Sequence, residues 1–179
     1  MRVVAGTLGG RRLAVPPGRE VRPTSDRVRE ALFSSLGPLA GARVLDLFAG
    51  SGALAIEALS RGATSAVLVE RDARAAATIR ANLEVLGLAE PQATLVVRPA
   101  LAALSTALSR GDAYDLVFLD PPYRQAPDLG PDLAAALAPL LAAGARVLTE
   151  SDRRAPLDLP WTVIHERRYG DTLIRIHTP

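Results

Sequence analysis

The chain has 179 residues, 49% of them apolar, with no cysteine and a formal net charge of +2, which fits one ordinary globular domain with a sizeable core. No apolar run approaches the roughly 20 residues that span a bilayer, and the opening "MRVVAGTLGGRRLAVPPG" is too weakly apolar for a signal sequence. Without cysteine there is neither a disulfide nor a thiolate-bound metal, so the chain reads as soluble and cytoplasmic, with no membrane or metal partner.

In chain order, "MRVVAG" and "RRLAVP" read as a short β-hairpin. All 21 basic residues are arginine, and seven fall within residues 1–30 against only Glu20, Asp26 and Glu30, leaving the rest of the chain slightly acidic. A GC-rich coding bias explains the missing lysines but not the clustering. Arginine's planar fork binds phosphate at two points and stacks on bases. A basic leading arm with Arg2, Arg11, Arg12, Arg22 and Arg27 therefore points to a nucleic-acid partner. "SDRVREALFSSLG" (25–37) follows as a helix, capped by Ser25 or Thr24, with Val28, Leu32 and Leu36 on one face.

From Gly41 onward, strands and helices alternate. "ARVLDLF" (42–48), "SAVLVE" (65–70), "ATLVV" (93–97), "YDLVFLD" (114–120) and "ARVLTES" (145–151) are apolar runs of strand length. Helices are predicted over 53–62, 72–87, 100–109 and 130–142, the second opened by Asp72 and closed by Gly87, the last carrying Pro139. "WTVIHERRY" (161–169) and "DTLIRIHT" (171–178) flank a Gly170-Asp171 turn and form a hairpin. Strands buried on both faces and alternating with helices imply an open, mostly parallel sheet covered by helices, with an antiparallel C-terminal hairpin at one edge.

Two turns on that sheet carry chemistry. In "LDLFAGSGALA" the Gly50-Ser51-Gly52 turn joins the first strand to its helix, and Glu70 ends the next strand 20 residues later. Glycines there admit a ligand close to the backbone, and an acid at that spacing reaches the hydroxyls of a ribose. The pattern indicates an adenosine-containing cofactor. Gly50-x-Gly52-x-x-Ala55 also satisfies the dinucleotide fingerprint, so a nicotinamide-dependent oxidoreductase is an alternative. Asp46, just before the turn, is unwelcome beside a pyrophosphate but suits the amino group of S-adenosylmethionine. The second turn is Asp120-Pro121-Pro122-Tyr123. Its prolines fix φ and remove two N–H donors, leaving the Pro121 carbonyl beside the Asp120 carboxylate as paired acceptors for an exocyclic amine of an unpaired base. Tyr123 supplies a stacking face. His165 and His177 have no metal-spaced partners and read as structural or exposed.

With "LDLFAGSG" and "LDPPY" in one α/β sheet, the chain resembles the Asp-Pro-Pro-Tyr class of S-adenosylmethionine-dependent amino-methyltransferases. More narrowly, "RVVAGTLGGRRLAVPPGREVRPTSDRVREALFSSLG" and the closing "YGDT" (169–172) are similar to the bacterial small-subunit rRNA guanine-N2 methyltransferase family. The resemblance implies a seven-stranded Rossmann-like sheet over 41–179 and a basic, RNA-facing extension of hairpin plus helix over 1–40. By the same resemblance, Asp46, Phe48, Ala49, Gly50, Ser51, Gly52, Glu70, Arg71 and Thr24 hold the cofactor, and Asp120, Pro121, Pro122 and Tyr123 hold the reacting amine. Pro23, Thr24 and Arg27 border the methionine end or the entering base. The implied substrate is 16S rRNA, within an assembling or assembled 30S particle; the sequence leaves the oligomeric state open, with a monomer expected. Adenine-N6 methyl transfer on RNA or DNA and a non-catalytic RNA-binding assembly factor are the remaining alternatives. Related enzymes place an acid after the third strand to bind the adenine amine. Here Arg98-Pro99-Ala100 stand there, so backbone groups or another acid must do this.

Overall fold

The structure, a computed structural model, describes residues 1–16, 26–122 and 126–179, with backbone alone at 126–128. Helix α1 (Asp26–Leu36) precedes an alternation of β1 (Arg43–Asp46), α2 (Ala53–Ser60), β2 (Ser65–Val69), α3 (Ala73–Leu86), β3 (Ala93–Val96), α4 (Ala100–Arg110), β4 (Tyr114–Leu119), α5 (Ala126–Leu137) and β5 (Leu141–Asp152). The hairpin β6 (Thr162–Tyr169) and β7 (Thr172–Thr178) closes the chain. Among the described residues the strands form one seven-stranded sheet in the order β3-β2-β1-β4-β5-β7-β6. Strands β1 to β5 pair in parallel, while β7 runs antiparallel to both β5 and β6. This is the open, mostly parallel sheet with an antiparallel C-terminal hairpin that the alternating pattern implies, with the seven strands that the resemblance implies.

The pleat sorts each strand between two cores. Val44, Ala66, Leu68, Leu116, Phe118, Leu148, Ile174 and Ile176 face a core shared with α1, α2 and α3. Leu45, Leu47, Val69, Val117, Leu119 and Val147 face a second core with α4 and Leu133 and Leu137 of α5. Each fully buried Leu or Phe contributes roughly 1.5–3 kcal/mol, which is why these runs are apolar without alternation. Helix α3 is bounded as its sequence dictates: the Asp72 side chain accepts from the N–H groups of Arg74 and Ala75, and Gly87 ends it in the left-handed conformation.

Three boundaries differ from the sequence reading. The helix placed at 130–142 starts at Ala126 and stops at Leu137, because Pro139 turns the chain into a 3-10 turn over Ala138–Leu140. Strand β5 therefore begins at Leu141 rather than 145. The expected N-terminal hairpin is present but shorter than the two segments suggest, centred on a bridge between Arg2 and Arg12. Across it Val3 N–H donates to the Arg11 carbonyl, Gly10 N–H to that of Val3 and Leu13 N–H to that of Met1, while the N–H groups of Val4 and Ala5 donate to the Glu57 carboxylate of α2 at 2.7 and 3.0 Å, and that of Leu8 to Ser60 Oγ. Gly6 lies so close to α2 that a Cβ there would fall 1.9 Å from the Ser60 carbonyl oxygen, so only glycine fits. The arm is thus fastened to the helix that leaves the Gly50 turn.

Candidate active site

Strand β1 ends at Asp46, and the turn that follows is held from both sides. Leu47 donates its N–H to the Phe118 carbonyl at 3.2 Å and Ala49 donates to that of Val69 at 3.1 Å. Gly50 and Gly52 take φ of 58° and 80°, a region where a side chain costs roughly 1–2 kcal/mol. A Cβ on Gly52 would also press to 3.0 Å from Leu68 Cδ2. Glu70 steadies the turn: one carboxylate oxygen accepts from Gly50 N–H and the other from Asp72 N–H, each at 2.9 Å. Every carboxylate oxygen has a second lone pair, so Glu70 can hold the turn and still accept from a hydroxyl.

Asp46 is 1% exposed, and its Oδ2 has no hydrogen-bond partner. Burial pushes its carboxyl up to about 7, the N–H groups of Ala55 and Phe48 oppose that rise, and the Glu70 charge adds to it. A buried carboxyl with an unpartnered acceptor oxygen is poised for a cationic or N–H-bearing group.

Asp120 lies on the neighbouring strand at the same end. In the β1–β4 register Asp46 is opposite Phe118, so Asp120 is two residues further toward the rim. Asp46, Glu70 and Asp120 all occupy positions of the pleat that share the face of Val44, Leu68 and Phe118. The Gly50 turn and the Asp120-Pro121-Pro122 end therefore meet on one rim, one face and adjacent strands. Pro121 is buried and Pro122 exposed. This is the carboxyl-end crevice where open α/β sheets take their ligands.

The family described as Conserved hypothetical protein 95 matches residues 1–178. The chain belongs to this family. It is 34% identical over 182 residues to ribosomal RNA small subunit methyltransferase D of Haemophilus influenzae, covering 99% of this chain and 93% of that protein. It is 44% identical over 126 residues to the putative rRNA methyltransferase YlbH of Bacillus subtilis, covering 70% and 68%. The match to the corresponding Escherichia coli K12 methyltransferase D is 42% over 130 residues and spans 61% of that protein's length. Among solved structures, the putative methyltransferase yhhF from Escherichia coli superposes with a TM-score of 0.83 at 36% identity, covering 99% of this chain and 96% of the other.

In this Conserved hypothetical protein 95 member the remaining candidates fall at varied distances from the crevice. Phe48 is half-buried, Ala49 buried and Arg71 exposed beyond the end of β2. Arg11, Arg12 and Arg27 are exposed, whereas Arg2 spends its Nε on Asp26 at 2.7 Å and so ties the arm to the start of α1. Arg22, Pro23, Thr24 and Tyr123 lie outside the described residues. Helix α1 runs against the strands: Arg146 donates to the Leu36 carbonyl at the far end of the sheet, and Phe33 packs on Phe118 with ring centroids 5.8 Å apart. Its first turn therefore rises toward the rim that carries Asp120. His177 is buried with Nε2 3.2 Å from Thr149 Oγ1, a packing role. Among the described residues no His, Asp and Glu cluster could hold a metal ion, and no helix is long and apolar enough to cross a membrane. A cavity of about 660 Å³ lies on the other face beneath α4, lined by Leu45, Val67, Val96 and Arg98 among others; Asp46, Glu70 and Asp120 do not line it.

Three residues near the rim escape a sequence reading. Asn82 of α3, buried, donates Nδ2 to the carbonyls of Ser51 (2.9 Å) and Ala14 (3.1 Å) and accepts from Ala14 N–H at 2.8 Å. It joins the glycine turn to the arm, across 68 residues of sequence. Arg29 is buried and donates to the Arg2 carbonyl and to Asp26, both at 2.7 Å. Glu150, near the end of β5, is buried on the same face as Asp120. Its signal was present: "VLTES" ends an apolar strand in an acid, as "VLVE" does at Glu70.

Proposed function

We propose that this chain transfers a methyl group from S-adenosylmethionine to the exocyclic N2 amine of a guanine in small-subunit rRNA. The observation that carries the reading is the shared crevice: the Asp46–Gly52 turn and the Asp120–Pro122 end sit on adjacent parallel strands, at one rim and on one face. The residues suit the cofactor. The unpartnered Asp46 Oδ2 accepts from its ammonium group, the glycine turn leaves room for its backbone, and Glu70 has lone pairs left for its ribose. A buried acid beside the turn disfavours the diphosphate of a nicotinamide cofactor. When bound, S-adenosylmethionine supplies a methyl group on a sulfonium sulfur.

The chain's own groups then act on the amine. An aryl amine is a poor nucleophile because its lone pair is drawn into the ring. The Asp120 carboxylate and the Pro121 carbonyl accept its two N–H bonds, turn the lone pair toward the methyl group, and stabilise the nitrogen as it becomes positive, after which the nitrogen releases one of those two protons to water and is left as a neutral secondary amine. Tyr123 stacks on the base. The base must be unpaired or flipped out, since a paired amine is not accessible. The arm, with Arg2, Arg11, Arg12, Arg22 and Arg27, meets the RNA phosphates. Support for the rRNA substrate comes from the names of the relatives, which describe small-subunit rRNA methyltransferases.

Incubation with labelled methyl donor and small subunits stripped of methylation, followed by nucleoside analysis, tests the reading. N2-methylguanosine is the expected product. N6-methyladenosine would overturn the base assignment, and an absence of any methylated rRNA would favour a binding factor over an enzyme.

A further inference from the structure

We infer that Glu150 reads the target base, its carboxylate accepting the N1–H of a guanine whose N2 amine lies against Asp120 and the Pro121 carbonyl. This rests on the guanine reading above and names the residue that would enforce it. In the β4–β5 register Leu119 pairs with Thr149, so Asp120, the first residue past β4, continues that register toward Glu150 of β5. Both extend the row of Phe118 and Leu148, which face one core, so the two acids share that face. Across the other neighbour, Glu150 pairs with the apolar Ile174. Its own exposure is 6%, which sets it apart from ordinary surface charge.

Base chemistry gives this pair of acids a use. Along one edge guanine presents N1–H beside its N2 amine, two donors in a row, whereas adenine presents its N6 amine beside a bare acceptor nitrogen. A carboxylate adjoining the amine's acceptors attracts the first edge and repels the second. The Asp120-Pro121-Pro122 end grips an amine of either purine; Glu150 supplies the discrimination that this end lacks.

The test uses an rRNA fragment containing the methylated position, with guanine or 2-aminopurine there. 2-Aminopurine keeps the amine but replaces N1–H with an acceptor. Wild-type protein is expected to favour guanine by about 10²-fold in kcat/KM. Glu150→Gln, whose amide can donate to the bare nitrogen, is expected to lower the guanine rate about 10–100-fold and to narrow or invert the preference. Its affinity for S-adenosylhomocysteine should stay unchanged. A merely structural residue would slow both substrates alike, and a preserved ratio in Glu150→Gln would overturn the inference. So would wild-type protein that methylates both bases equally, a result that needs no variant to fold. Wild-type protein that methylates adenine instead would sink the guanine reading and this inference together.

Discussion

Asp120→Ala is expected to lower the single-turnover rate of methyl transfer by about 10²–10³-fold, the usual cost of removing one preorganised partner of developing charge. The loss should fall on the chemical step. Asp120 follows β4 on the face of Asp46 and Glu70 but is two residues beyond the Asp46 pairing level, so the glycine turn keeps its own supports. S-Adenosylhomocysteine affinity should therefore change little. Binding of rRNA should also persist with its usual salt dependence, because that term comes from arginine–phosphate contacts. Asp120→Asn, which keeps one acceptor oxygen, should be less impaired than Asp120→Ala. Equal loss of rRNA binding and methylation in Asp120→Ala would mean the residue supports the structure rather than the amine.

Asp46→Asn is expected to separate stability from function in opposite directions. The folded carboxyl titrates at about 7 because burial disfavours its charge, against about 3.9 in an unfolded chain. Between those values the folded state holds the extra proton, so the wild type loses stability as pH rises from about 4 to 7. An uncharged amide of the same shape escapes that loss. At pH 8 Asp46→Asn should be the more stable protein by on the order of 1–3 kcal/mol, with the difference shrinking as pH falls and vanishing below about pH 4; urea unfolding across that range measures it. The same change removes the charge that meets the cofactor's ammonium group. Affinity for S-adenosylmethionine should fall about 10–100-fold, read by calorimetry. A variant that binds normally, or is no more stable at pH 8 than the wild type, would show that Asp46 is not the buried ionisable contact.

The fold was legible because its signals are local. Apolar runs without alternation, the Asp72 and Gly87 boundaries of α3 and the Gly170 turn each lie within a few residues of what they specify. The glycine turn and the Asp120-Pro121-Pro122 end could be read for the same reason, since each is a contiguous motif at a strand end. What stayed hidden depends on partners distant in sequence. Glu57 looks like a lone acid in an apolar helix until Val4 and Ala5, more than 50 residues earlier, donate to it. That capture also explains why the N-terminal hairpin stays short, its ladder confined to the bonds around Arg2 and Arg12. Asn82 and Arg29 are similar cases, polar side chains whose worth lies in a carbonyl brought near by the fold. The misplaced end of α5 is different: Pro139 was visible, but its backbone effect outweighed the apolar spacing around it.

A crystal structure with S-adenosylhomocysteine bound tests the shared crevice most directly. The ligand's amino group is expected within hydrogen-bond distance of the Asp46 carboxylate, its ribose beside Glu70, and its sulfur turned toward Asp120 and the Pro121 carbonyl. A ligand lodged instead in the cavity beneath α4, or bound at the turn with its sulfur directed away from Asp120, would contradict a common site for donor and amine.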